Sequence, residues 1–129
     1  MTLSIHHLGL TVNSLEQAQH FFVDLLGWKV VRKDTDYPSL FVSNGHVMIT
    51  LWKVQTDTFV PFNKGSNVGL HHFAIEVNSE DELNVLCEKF NQSEFEIEFS
   101  PEPLRGGPTS HFIVHGPDNI RIEFINVEP

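Results

Sequence analysis

Residues 6–14 read HHLGLTVNS and residues 71–79 read HHFAIEVNS. At this offset His6, His7, Val12, Asn13 and Ser14 meet identical partners in His71, His72, Val77, Asn78 and Ser79. The positions between match in kind: Leu8 with Phe73, Gly9 with Ala74, Leu10 with Ile75. Such self-similarity marks a duplicated structural unit. The ends of the two halves also align, VMITLWKV at 47–54 over IRIEFINV at 120–127. Ile49 then meets Ile122, Leu51 meets Phe124, and Thr50 takes the place of Glu123.

Each half reads β-α-β-β-β. Residues 5–12 alternate, Leu8, Leu10 and Val12 against His7, Gly9 and Thr11, which is the period of a half-buried strand. Asn13 or Ser14 caps a helix over about 15–26 that ends at Gly27. Strands follow near 28–33, 39–42 and 47–54, with Asn44-Gly45 as a tight turn. In the second half Ser79 caps a helix over about 80–92. Strands near 95–99, 110–115 and 120–127 follow, the last two joined at Gly116-Pro117-Asp118-Asn119. The chain is therefore read as one domain over 1–129, with module one at 3–55, a linker at 56–69 and module two at 70–128. The fold class is α+β: two βαβββ modules forming a half-open mixed-sheet barrel with the helices outside.

Strand parity then sorts the chemistry. Phe73, Ile75 and Val77 face the helix, so His72, Ala74 and Glu76 face the other way, as do His7, Gly9 and Thr11 in module one. Glu123 lies between the apolar Ile122 and Phe124 and also points away from the helix. If the two sheets fold toward each other, His7, His72 and Glu123 converge. Two histidines and one carboxylate suit a divalent Fe, Mn, Ni, Zn or Co ion. His6 and His71 fall on the helix-facing side by the same parity and are left out of the set. His111 shares the alternation with Val114 and Phe112 and reads either as an acid–base group beside the site or as a rim histidine. Arg105, in a Gly-Gly-Pro loop, reads either as a contact for an anionic substrate group or as a solvated side chain. Trp52 and Met48 share the parity of Thr50 and line either the site or the core.

Composition narrows the classes. Apolar residues make up 40% and charged residues 19%, as in ordinary globular chains. The net charge of −9 argues against a nucleic-acid partner, which would need a basic stripe. No apolar run reaches bilayer-spanning length, and MTLSIHHLGL has no signal-type core, so no membrane association and a cytoplasmic setting are expected. The single cysteine, Cys87, excludes an internal disulfide and reads as a core residue.

The stretches IHHLGLTV (5–12), FFVDLLGW (21–28), HHFAIEV (71–77) and GPDNIRIEF (116–124) resemble the vicinal oxygen chelate superfamily. That superfamily contains glyoxalase I, the bleomycin-resistance proteins, the fosfomycin-resistance thioltransferases and the extradiol dioxygenases. The resemblance covers nearly the whole chain. It implies His7, His72 and Glu123 as ligands of one divalent metal; with the readings of parity and loop above, Glu123 and His111 are expected as the catalytic pair, and Arg105, Thr50 and Trp52 as substrate contacts. A fourth ligand position of the family, often Glu, falls on Thr50. The glutathione anchors of bacterial glyoxalase I fall on Thr11 and Val54, where an Arg and an Asn would stand. The function implied is a metal-dependent dioxygenase or enolate-type lyase or isomerase, acting on a small molecule chelated through vicinal oxygens. The alternative is a metal-free, bleomycin-resistance-like binding protein. A homodimer is implied as well, with Phe41, Phe59, Phe62 and Trp52 as candidate contacts.

Overall fold

A computed structural model describes residues 1–127 of the chain. The end of module two at Glu128 lies outside the described residues. The chain divides into two compact units, Met1–Val60 and a second beginning at Pro61.

In unit one, strand β1 (Leu8–Val12) is followed by helix α1 (Leu15–Gln19), whose N-cap Ser14 accepts a hydrogen bond from the Gln17 amide. The helix runs on in a wider π-helical coil over His20–Leu25, then stops at Gly27, which takes the left-handed φ of 77°. Strands β2 (Lys29–Asp34), β3 (Ser39–Ser43) and β4 (Met48–Lys53) complete the unit. The Asn44 side chain caps the β3–β4 turn, accepting from the amides of His46 and Val47, and Gly45 supplies the positive φ there. The sheet order is β1-β4-β3-β2, with β1 and β4 parallel and the other pairs antiparallel.

Unit two repeats the plan. Strand β5 (Phe73–Glu76) leads to helix α2 (Glu80–Asn91), capped by Ser79 and carrying three acidic residues in its first turn, where they favour the helix dipole. Strands β6 (Glu96–Pro103), β7 (Ser110–His115) and β8 (Arg121–Asn126) follow, in the order β5-β8-β7-β6 with β5 and β8 parallel. The two four-stranded mixed sheets and the outward alternation match the α+β reading of two βαβββ modules. Residues 55–69 form no strand or helix.

Each helix covers one sheet face. In unit one, Phe21, Phe22, Leu40, Ile49 and Leu51 are almost wholly buried. In unit two Phe90 of α2 packs against Phe124 and Phe112, with ring centroids 5.6 and 6.4 Å away. Burying side chains of this size contributes about 2 kcal/mol each. Cys87 is buried in α2 as expected, and burial pushes its thiol up.

One expectation is corrected. The histidine pairs do not lie inside strands: β1 starts at Leu8 and β5 at Phe73, so His7 and His72 each stand one residue before the first ladder pair. Freed from strand parity, His6 and His71 do not turn toward the helices either. All four rings are exposed, and each pair closes on itself. His6 Nδ1 lies 2.9 Å from His7 Nδ1, and His71 Nδ1 lies 2.8 Å from His72 Nδ1.

Candidate metal centre

Strand β8 presents Glu123 away from α2, between the apolar Ile122 and Phe124, and its parallel neighbour in the ladder is Ala74. The glutamate is 8% exposed. A carboxylate so far from water needs donors. It has one from β7, where His111 Nδ1 sits 2.5 Å from Glu123 Oε2. Because a carboxylate only accepts, His111 donates from Nδ1, and its Nε2 points toward Glu102 Oε1, 3.9 Å away. Phe99 packs edge-to-face with the His111 imidazole, with centroids 5.0 Å apart. On the other side, His72 Nε2 lies 3.4 Å from Glu123 Oε1. Three of the residues singled out in the sequence thus meet in unit two: His72, His111 and Glu123.

That separation of 3.4 Å bears on metal binding. Two donors bound to one ion at about 2.1 Å stand about 3.0 Å apart at a right angle and about 3.4 Å apart at a tetrahedral one. The His72–Glu123 pair is therefore spaced as two ligands of one ion. The hydrogen bond from His111 to the other carboxylate oxygen is the kind of support that orients a ligating carboxylate. Among the described residues, no three His, Cys, Asp or Glu side chains form a ready-made metal cluster.

A second polar group, missed in the sequence, stands beside it. Arg121 has the same parity on β8 as Glu123, and its side chain is 8% exposed. Its Nε and Nη2 donate to Glu98 Oε1 and Oε2 of β6, both at 2.8 Å, in a bidentate pair. Nη1 reaches His71, 3.1 Å from the ring Nδ1 and 3.2 Å from the backbone oxygen. Glu98 also accepts from His115 Nε2 at 2.9 Å. The Arg121 hydrogen bonds, followed by the one from His115, hold the Glu98 carboxyl down to about 2. Loss of solvation and then the Arg121 charge lower the His71 value. An arginine inside the otherwise apolar run IRIEF was the available sequence signal, since a buried guanidinium requires a carboxylate.

Unit one differs at the matching place. Thr50 is 1% exposed, and its hydroxyl accepts from Trp52 Nε1 at 2.9 Å. Trp52 is in turn packed by Tyr37 and Phe41, with centroids at 5.1 and 5.6 Å. Thr50 and Trp52 are brought together, then, but as a hydrogen-bonded aromatic cluster. His7 is exposed and paired with His6. Arg105 is exposed in the turn Leu104–Gly106 and takes a left-handed φ of 53°.

A family model described as the glyoxalase/bleomycin resistance protein/dioxygenase superfamily matches residues 4–124. The chain belongs to that superfamily. Catechol-2,3-dioxygenase of Bacillus subtilis (strain 168) is 26% identical to it over 105 residues, 78% of this chain and 36% of that protein. The match therefore spans about a third of the dioxygenase's length. A probable lactoylglutathione lyase of Synechocystis sp. is 27% identical over 124 residues, 92% of each chain. Among solved structures, a glyoxylase/bleomycin resistance protein/dioxygenase domain from Frankia sp. EAN1pec superposes with a TM-score of 0.86 at 23% identity, covering 99% of this chain and 100% of that one. The superfamily fold, with its paired βαβββ modules, is thus the fold of this chain. Its relatives carry enzyme names, and no helix among the described residues is long and apolar enough to cross a membrane.

Proposed function

We propose that this chain is a divalent-metal-dependent enzyme that takes a small substrate through two vicinal oxygens. The observation that carries the reading is the ligand-like spacing of His72 Nε2 and Glu123 Oε1, beside a carboxylate steadied by His111. His72 and Glu123 would hold one Fe, Mn, Ni, Zn or Co ion, and the superfamily resemblance adds His7, the repeat partner of His72, to the ligand set. Bound there, the ion supplies Lewis acidity toward the substrate oxygens and, as iron, access to dioxygen chemistry. His111 keeps the Nδ1 proton on Glu123, which leaves Nε2 to take a proton from the substrate and return it. Thr50 and Trp52 in unit one and Arg105 in unit two are substrate contacts. Two copies form a homodimer.

The chemistry fits oxygen-dependent ring opening or enolate-type lyase and isomerase reactions. With Thr50 at the fourth ligand position, and Thr11 and Val54 at the glutathione anchors, turnover of the glutathione–methylglyoxal hemithioacetal is expected to be poor. The test is metal analysis of protein purified without chelator, then anaerobic reconstitution with Fe(II) and oxygen-electrode assays on catechols and hydroxy-ketones. About one ion per chain is expected, with oxygen uptake, or with proton exchange in a hydroxy-ketone when Ni(II), Mn(II) or Zn(II) is supplied. A chain that takes up no divalent ion is a metal-free binding protein, and the enzyme reading fails.

A further inference from the structure

Unit two also holds a cavity that the metal centre does not use. It has a volume of about 340 Å³ and is lined by the Arg121–Glu98–His115 cluster of the sheet, with Phe62, Lys64, Glu96 and Asn119 around it. That volume lies at the lower end of the range for small-molecule sites. Its walls are fixed before any ligand arrives. The Phe62 amide donates to the Asp118 backbone oxygen at 3.1 Å, which ties the segment after Pro61 to the β7–β8 turn. The segment folds on itself at Asn63, whose Oδ1 accepts from the Gly65 amide and whose backbone oxygen accepts from the Asn67 amide. On the sheet side, Arg121 is held by Glu98 at two points, and His115 donates to the same carboxylate. A wall already in place lowers the cost of ordering a ligand against it.

The lining selects by charge. Lys64 and Arg121 stand among Glu96 and Glu98, two cations with two carboxylates. An anion would meet the carboxylates and a cation the ammonium and guanidinium, so the balance favours an uncharged ligand. Around the cavity the exposed Lys64 donates hydrogen bonds, the exposed Glu96 accepts them, and the exposed Asn119 amide does both. A hydroxyl both donates and accepts, and is the neutral group that serves all three. The half-buried Phe62 adds one apolar surface, on which the C–H side of a hydroxylated chain packs. We propose that this cavity binds an uncharged, polyhydroxylated carbon chain. Arg121 and Glu123 stand two residues apart on one face of β8, about 7 Å along the strand, so a chain of about five or six carbons held at the metal centre reaches the cavity. That last step rests on the proposed metal function. The substrate class it gives is a hydroxy-ketone with a hydroxylated tail, as in a ketose, in place of a catechol.

Xylitol has the hydroxylated chain without a carbonyl and is the probe. It is titrated into 15N-labelled, metal-free protein and followed by the 1H–15N shifts of the backbone amides. Saturable shifts are expected at Lys64, Glu96 and Asn119, with a Kd of about 10 mM for a ligand of about ten heavy atoms. 1,5-Pentanediol, the same carbon chain without the inner hydroxyls, is expected to leave those amides unmoved. The double variant Lys64→Ala with Glu96→Ala changes only exposed side chains. It is expected to bind xylitol at least about 10-fold more weakly, with Zn(II) affinity in equilibrium dialysis as in the wild-type protein. Malonate bound more tightly than xylitol, equal shifts with the diol, or xylitol affinity unmoved in the double variant overturns the proposal. Xylitol bound as stated by a chain that takes up no divalent ion leaves the cavity assigned and removes the metal reading. A chain that binds the ion and shows no xylitol shifts does the reverse.

Discussion

The two units share a backbone plan, a Ser N-cap and a histidine pair at the head of the first strand, but their last strands carry different chemistry. Along β4 the sequence runs Met48-Ile49-Thr50, and along β8 it runs Arg121-Ile122-Glu123. Gly9 is the ladder neighbour of Thr50, and Ala74 is the neighbour of Glu123. In unit one the hydroxyl is spent on Trp52 within an aromatic cluster. In unit two the carboxylate gathers two imidazoles, and an arginine beside it gathers a third. Duplication preserved what the fold needs, the alternation and the caps, and left the outward positions free to diverge. At this position the ionisable side chains gather in unit two, while in unit one the hydroxyl is taken up by an aromatic cluster.

Exchanging the two key positions would break this contrast most severely. Thr50→Glu puts a carboxylate into a place that is 1% exposed and whose nearest donor is a single indole. The expected cost is about 3 kcal/mol or more, read as a lower midpoint in urea unfolding. The reverse change, Glu123→Thr, should leave the fold standing and lower divalent-metal affinity at least about 100-fold in equilibrium dialysis.

The arginine tests the contrast at a smaller scale. Arg121→Met copies the unit-one residue and leaves Glu98 with only the His115 contact of those described above, so a loss of about 2–3 kcal/mol is expected. The double change Arg121→Met with Glu98→Leu removes both charges. It should recover part of that loss, and the recovery in a double-mutant cycle measures the coupling.

Acid unfolding sharpens the comparison. Glu98 has its value lowered in the folded state from 4.5 to about 2, so its contribution is fully present above about pH 4.5 and is lost as pH falls toward 2. Glu98→Gln is expected to flatten the pH dependence of Tm inside that window and to leave it unchanged above it. A curve for the variant that still falls in parallel with wild type between those values would show that the ion pair contributes nothing there.

The smallest effect is expected at Gly9. A methyl there would meet Thr50 Oγ1 at 3.1 Å and Trp52 Nε1 at 3.5 Å, whereas the matching position in unit two, Ala74 opposite Glu123, already carries one. Gly9→Ala is expected to lower Tm by about 1–3 °C, with the entropic gain of alanine offsetting part of the strain.

Much of this was legible in the sequence because it is periodic. The HH-x₅-NS repeat, the Ser caps and the alternation through Phe73, Ile75 and Val77 fixed element order and facing without long-range information. The Glu123 carboxylate announced itself by standing between Ile122 and Phe124. Two things were not legible. Parity was carried two residues too far toward the N-terminus of each opening strand, so His6 and His71 were assigned to the helix side, whereas the ladder begins after the pair. The Arg121–Glu98 bond joins strands β8 and β6, which are not neighbours in the sheet, and no local pattern ties the two residues. An arginine in an apolar strand says that a carboxylate must be near, but not which of seventeen acidic residues it is.

The parallel pairing of first and last strands in each unit also governs the order of assembly. β1 has no ladder partner until β4 has been made, and β5 none until β8, so each closure waits on roughly forty to fifty residues of chain. Unit one can close while the ribosome is still adding unit two, and the opening strand of unit two then remains an unpaired edge until β8 emerges. His72 and Glu123 become neighbours in that same late event. The donors that face each other in unit two are therefore among the last parts of the molecule to form, and a chain halted before β8 would hold a finished first unit and no carboxylate for its second.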